Sequence, residues 1–438
     1  MLKAIICVCF SFFFCFNNVS AASLGPDINV ALVVNQFSAE ITSEAEFQAV
    51  VKSGKEVSSF GPKKIFASVK DDKLMLDGKI INASEIELVA KELSKPMQIN
   101  RKSYRGKILI KVNADKKTLI VCNILPIEQY LYGVIAKEII PLWPEEAIKA
   151  QTVAARSFAI SCIGKKADTG FDIRANELGQ VYGGIEAEHA ATNKQIDATR
   201  GVVLTYAGKP IEAYYHSCSG GYTENSENVW GTYVPYLRAV PDFDQESPKY
   251  HWEKSFTASE LEKALKQAGY HIGKLKSIKL SQLKAPPVKE NDRGVSGRVL
   301  RITFVGDAGE AVLDGGKVRT VLQLSSTLFD ITVTSNIPEF IEVPVLDVYG
   351  NEIGKKKIPV KTTEPSKPAY LRGFEDLRLI TGNENEKIII KGQGWGHGLG
   401  LSQWGARGMA LAAPKNSRDY YKTILAHYYT NVKIEKIY

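Results

Sequence analysis

From about Asn29 to Cys122, short apolar runs alternate with polar positions and are broken by Gly, Asp and Asn. That period of two predicts β-strands. Within it, KILIKVNADKKTLIVCNIL (107–125) reads as a hairpin whose strands flank Asn113, Ala114 and Asp115. From Ile127 to about Ile163 the pattern turns helical, with Pro144 at a first helical turn and Glu145 and Glu146 behind it. Strand character returns over 200–215, where Gly208 and Lys209 form a turn. A helix capped by Thr257 or Ser259 is expected over 257–269. Further strands are expected around 274–281, 297–305, 310–314 and 329–335. The pattern predicts an α+β protein, with mixed β-sheets and a few helices around a groove.

At 438 residues the chain is long enough for two or three lobes. The expected division is an N-terminal β-rich region (23–122) and a core built from 123–337 and 388–438. Residues 338–387, rich in Pro, Glu, Lys and Gly, are expected to form an inserted hairpin or small lobe. The first 22 residues stand apart. Lys3 precedes an apolar run from Ala4 to Phe16, and small residues follow at Ser20, Ala21 and Ala22. This is the pattern of a secretory signal peptide, too short to span a bilayer comfortably, although retention as an N-terminal anchor stays open.

Export changes how charge and cysteine are read. The formal charge is +8, of which Lys3 contributes one. A basic exported surface suits an anionic polymer and export argues against nucleic acid, but charge alone reads as well as a solvated lysine surface. Beyond the leader, Cys122, Cys162 and Cys218 remain. Three cannot all pair internally, and free buried thiols are as good a reading as one disulfide.

Near the C-terminus the chain runs GQGWGHGLGLSQWGARGMA (392–410), where 7 of 19 residues are glycine among two tryptophans, a histidine and a glutamine. A flexible linker lacks such aromatics. The glycines read as places of close backbone approach or positive φ, and Ser402 as the N-cap of a helix over Gln403–Leu411. The loop reads as a groove wall in which His397, Gln403 and either Trp395 or Trp404 meet a ligand. The alternative is a tight turn with its tryptophans in the core.

A second block, ILPIEQYLYGVIAKEIIPLWPEEAIKAQTVAARSFAI (124–160), places Glu138 before Ile139, Ile140, Leu142 and Trp143. Apolar surroundings make a carboxyl keep its proton, as general-acid catalysis requires. The bland alternative is a surface glutamate paired with Lys137 or Lys149. On AIKAQTVAARS, helical spacing puts Lys149, Thr152 and Arg156 on one face, with Gln151 beside them. In a third block, YYHSCSGGYTENSENVWG (214–231), no G-x-S-x-G surrounds a serine, which argues against a Ser/His hydrolase. Tyr215, His216, Ser219 and the amides of Gly220 and Gly221 read instead as groove lining.

In this order, together with PYLRAVPD (235–242), VSGRV (295–299) and HYYTNVKI (427–434), the blocks resemble the SpoIID/LytB family of bacterial cell-wall proteins. The resemblance implies a peptidoglycan lytic transglycosylase whose catalytic glutamate is Glu138. It also implies a glycan substrate stripped of stem peptides by a partner amidase. Lys149, Gln151 and Arg156 would then hold the acidic lactyl group or the reacting glutamate. Part of the family bears the name amidase enhancer, so a non-catalytic wall-binding protein that stimulates an amidase is the alternative. Some relatives place Cys and His ligands around the FD…QVYGG segment. Here FDIRANELGQVYGG has none, which predicts no zinc at that place and no cofactor.

Overall fold

The computed structural model describes residues 23–438 except 52–54, 93, 166–168, 335–339, 347–351, 360–375, 383–385 and 416. The leader over 1–22 lies outside the described residues. No helix among them is long and apolar enough to cross a membrane.

The fold is α+β. Its N-terminal part is two antiparallel-rich sheets packed face to face. One orders Ile173–Arg174, Asp27–Gln36, Leu119–Pro126, Lys107–Val112, Glu85–Ala90, Phe47–Val50 and Glu56–Phe60. The other orders Lys102–Tyr104, Met97–Ile99, Ser38–Ser43, Lys63–Lys70, Lys73–Leu76 and Lys79–Ile81. Alternation drives this packing, since Ile28, Val30, Ile41, Ile65, Leu74 and Ile110 bury one face of each strand in a shared core. In the expected hairpin, Lys107–Val112 pairs with Leu119–Pro126. Asp115 shapes its turn by accepting the Lys117 and Thr118 amides at 2.8 and 2.9 Å.

Strand Leu119–Pro126 feeds directly into helix α1 (Ile127–Glu138), which is followed by α2 (Glu145–Cys162). The helical pattern expected to run through 127–163 is therefore two helices. Pro141 disfavours a helical Ile140, and Ile139 leaves α1 with φ −133° and ψ 152°. Pro144 is the N-cap of α2 rather than a residue of its first turn. Helices α3 (Ala190–Ala198) and α4 (Ser226–Trp230) follow, then α5 (Ala258–Gln267), α6 (Gly315–Val321), α7 (Gln403–Leu411) and α8 (Tyr420–Tyr428). Thr257 and Glu260 close a capping box on α5.

A second core lies under two sheets. One places Lys387–Gln393 between His251–Phe256 and Phe329–Thr334, and the other orders Glu310–Asp314, Arg301–Gly306, Leu275–Lys279 and Leu377–Leu379. Within 338–387, Phe340–Leu346 and Glu352–Pro359 pair as an antiparallel hairpin. A third core joins α2, α7 and α8 through residues such as Ala147, Ala154, Ala406 and Ile424. Strand Lys387–Gln393 runs into the glycine-rich loop, whose far end, Leu401–Ser402, pairs in parallel with Tyr215–His216. That short pairing brings the second half of the molecule onto α1 and α2. The three cysteines outside the leader are free, with Cys122 and Cys218 buried.

Candidate active site

Glu138 is the last residue of α1, and the irregular chain after it leaves its side chain half-buried. The Val181 amide donates to Glu138 Oε1 at 3.0 Å. The Tyr215 hydroxyl and the Gln403 amide also donate to the carboxylate. These donors favour the charged form, but loss of solvent outweighs them and the pKa is raised. The negative charge of Glu177 adds to the rise. Tyr215 is itself held by Gln180, whose Nε2 donates to its hydroxyl at 3.1 Å while Tyr130 donates to Gln180 Oε1 at 3.0 Å. The relay Tyr130–Gln180–Tyr215–Glu138 fixes the carboxyl from behind.

Glu138 opens into a cleft of about 580 Å³, with Glu177, Tyr215, His216, Trp395 and His397 among its lining residues. Trp395 is 44% exposed, and the Lys249 ammonium sits 4.6 Å from its ring centre. The rings of His216 and His397 lie 5.4 Å apart. His216 Nδ1 donates to the Leu399 carbonyl at 3.1 Å, leaving Nε2 buried with no partner and its lone pair available. His397 Nδ1 accepts the Leu399 amide at 3.0 Å, and the ring also hydrogen-bonds the Tyr215 carbonyl. Burial holds both rings neutral, lowering His397 to about 4 and His216 well below its ordinary value. Gly398 shows why this loop is glycine-rich. Its φ is +80°, and a Cβ there would stand 2.3 Å from Arg298 Nε.

The expected residues divide. Glu138, Tyr215, His216 and His397 meet at the cleft, and Gln403 reaches it through Glu138. Lys149 does not pair with Glu138; its ammonium lies 2.6 Å from Glu146. Arg156, expected on a cationic stripe, is fully buried. Its Nε and Nη2 meet both oxygens of Glu128 at 2.8 and 2.9 Å, joining α2 to α1. Gln151 is buried too, with neither amide atom partnered. Ser219 lies behind the cleft, its hydroxyl donating to Asp242. There Asp244 accepts the Gly220 and Gly221 amides at 2.8 and 2.9 Å, so the amides expected to face sugar are already used. Burial and the Asp244 charge raise Asp242 to about 6. Trp404 packs edge-on to Trp143, ring centres 4.7 Å apart, with the Arg407 guanidinium 5.3 Å from the Trp404 ring.

Sequence reasoning passed over Glu177 and Gln180. Both stand in the FDIRANELGQVYGG segment, where no local pattern marks them out. Among the described residues no group of three or more His, Cys, Asp or Glu is arranged to hold a metal.

The family model described as "Stage II sporulation protein" (SpoIID) matches residues 115–206, the span holding Glu138, Gln180 and Val181. An uncharacterized protein of Brachyspira hyodysenteriae is 30% identical over 341 residues, 77% of this chain and 73% of that one. Stage II sporulation protein D of Bacillus subtilis is 26% identical over 328 residues, covering 71% and 75%. The chain belongs to the SpoIID family. The amidase enhancer of Bacillus subtilis is 31% identical over 311 residues, which span 68% of this chain but 39% of that longer relative. A second family model, for a domain of unknown function, matches 224–346, so Arg298, in the segment before strand Arg301–Gly306, lies outside the SpoIID match.

Proposed function

We propose that this SpoIID-family protein is an exported lytic transglycosylase that cuts peptidoglycan between N-acetylmuramic acid and N-acetylglucosamine. The observation that carries the reading is Glu138, a desolvated carboxyl at the wall of an aromatic cleft, with its charged form supported by three donors. Protonated Glu138 gives its proton to the bridging oxygen as the C1–O bond of the muramyl sugar breaks. The resulting carboxylate is held by Val181, Tyr215 and Gln403. It takes the proton of the muramyl C6 hydroxyl, whose oxygen closes on C1 as a 1,6-anhydro ring. No water is consumed, so one carboxyl serves as acid and then base. The export part rests on the N-terminal sequence.

A second reading is kept because of the similarity to the amidase enhancer: a wall-binding protein that stimulates a partner amidase. Mass spectrometry of products from naked and peptide-bearing glycan decides between them. The transglycosylase reading expects 1,6-anhydro-muramyl ends that vanish with Glu138→Gln. Undiminished amidase stimulation with no anhydro ends supports the binding reading. Reducing muramyl ends would mean that water attacks, and would move Glu177 into a base role.

A further inference from the structure

Trp230 and His397 line the Glu138 cleft on one side and a second cavity, of about 890 Å³, on the other. Two arginines, Arg298 and Arg319, also line this second cavity. Arg298 is 1% exposed. Its Nη2 donates to the Ser219 carbonyl at 2.6 Å, while Nε and Nη1 have no acceptor. Arg319 is half-buried, with Nε donating to the Leu324 carbonyl at 3.3 Å. Neither guanidinium pairs with a carboxylate among the described residues.

The acidic groups nearby are engaged elsewhere. Glu227 pairs with Arg238 at 2.9 Å, and Asp314 accepts the Lys317 amide at 2.7 Å. Glu224, whose charge reaches Arg298, accepts the Ser296 hydroxyl at 2.6 Å and Asn228 Nδ2 at 2.8 Å. Two like charges thus share a partly desolvated wall with no carboxylate in ion-pair range among the described residues, since Glu224 and Asp244 act on Arg298 only from beyond that distance. An incoming anion relieves the arrangement. Desolvation accordingly lowers both guanidinium pKa values.

We infer that Arg298 and Arg319 form a subsite for a carboxylate of the glycan bound in the adjoining cleft. The inference rests on the glycan reading of that cleft. A guanidinium fork matches a carboxylate in shape and charge. N-acetylglucosamine carries no carboxylate. Muramic acid carries one on its lactyl ether, free when the stem peptide is gone and capped as an amide when it is present, whereas stem peptides bring carboxylates of their own. The subsite therefore makes the cleft selective for acidic glycan, a role that Lys149 and Arg156 are not placed to fill.

Binding of three soluble tetrasaccharides to full-length Glu138→Gln protein tests the idea. They alternate N-acetylglucosamine with N-acetylmuramic acid bearing free lactyl carboxylates, their methyl amides, or stem peptides. The free acid should bind about tenfold more tightly than the methyl amide, the gain of one good charge-assisted contact. Arg319→Gln, at the cavity wall, should erase that preference. Arg298→Lys should reduce it, provided that circular dichroism shows a folded protein. Tighter binding of the peptide-bearing form, equally sensitive to Arg319→Gln, assigns the carboxylate to the stem. Equal binding of acid and amide, or a preference that survives Arg319→Gln, overturns the subsite and leaves the cleft reading intact. Failure of all three ligands to bind overturns both.

Discussion

The Val181 amide stands 3.0 Å from Glu138 Oε1, although 43 residues separate the two along the chain. One residue ends the first long helix, and the other follows a loop that returns to it through Gln180. A backbone donor cannot be moved by a rotamer change, so it fixes the position of the carboxyl while burial sets its proton affinity.

Glu138→Gln should abolish glycan cleavage and keep glycan binding, since the amide preserves shape and cannot titrate. It should also change stability in a direction opposite to the usual carboxylate case. The native pKa of Glu138 is raised, so the unfolded chain releases this proton first as pH climbs. Stability contributed by the neutral form is present below the unfolded value and is lost as pH rises through the native one. The variant should therefore melt above the wild type at pH 7 and with it near pH 3. Scanning calorimetry at the two pH values checks the sign, and a lower melting temperature at pH 7 would refute it.

Glu177→Gln removes a negative charge that raises the Glu138 pKa. Glu177 is exposed, so water weakens the coupling. The basic limb of the pH–rate profile, where Glu138 loses its proton, should move to lower pH. An unmoved limb would show that the two carboxylates do not interact in the working enzyme.

Glu128→Gln should unfold the protein more easily without touching chemistry. Its carboxylate meets buried Arg156 and the Gly201 amide at 3.2 Å, both out of solvent's reach, and the half-buried Tyr438 hydroxyl at 2.6 Å. Leaving a buried guanidinium unpaired costs roughly 3–5 kcal/mol. Urea denaturation should report that loss, while turnover per folded molecule stays at the wild-type level. A selective fall in turnover would return Arg156 to the substrate site.

Trp395→Ala and Trp404→Ala should part company. Trp395 offers an apolar face to the cleft, so its loss should weaken glycan binding roughly five- to tenfold with little change in melting. Trp404 is packed against Trp143 and Arg407, and its truncation should cost about 2 kcal/mol of stability. Isothermal titration and chemical denaturation on both variants separate the roles. A Trp404 variant that keeps its stability and loses its ligand would reverse them.

Sequence alone determined the α+β class, the Ser402-capped helix over Gln403–Leu411, the 107–125 hairpin and Glu138 in apolar company. Each is a local matter: strand and helix periods, capping hydroxyls and proline breaks act within a few residues and are written there. The helical period also put Lys149 and Arg156 on one face, but a period cannot say what covers that face. The tertiary structure decided it, because α1, α3, α7 and α8 surround α2 and leave Arg156 no solvent, with Glu128 and the Ile196 and Val202 carbonyls as its partners. The same holds for Glu177, Gln180 and Arg298. Their roles come from loops folded against a helix end and a glycine turn far away in sequence, and long-range packing of this kind leaves no periodic trace. That Nε and Nη1 of Arg298 lack an acceptor among the described residues is visible only once the chain around them is folded.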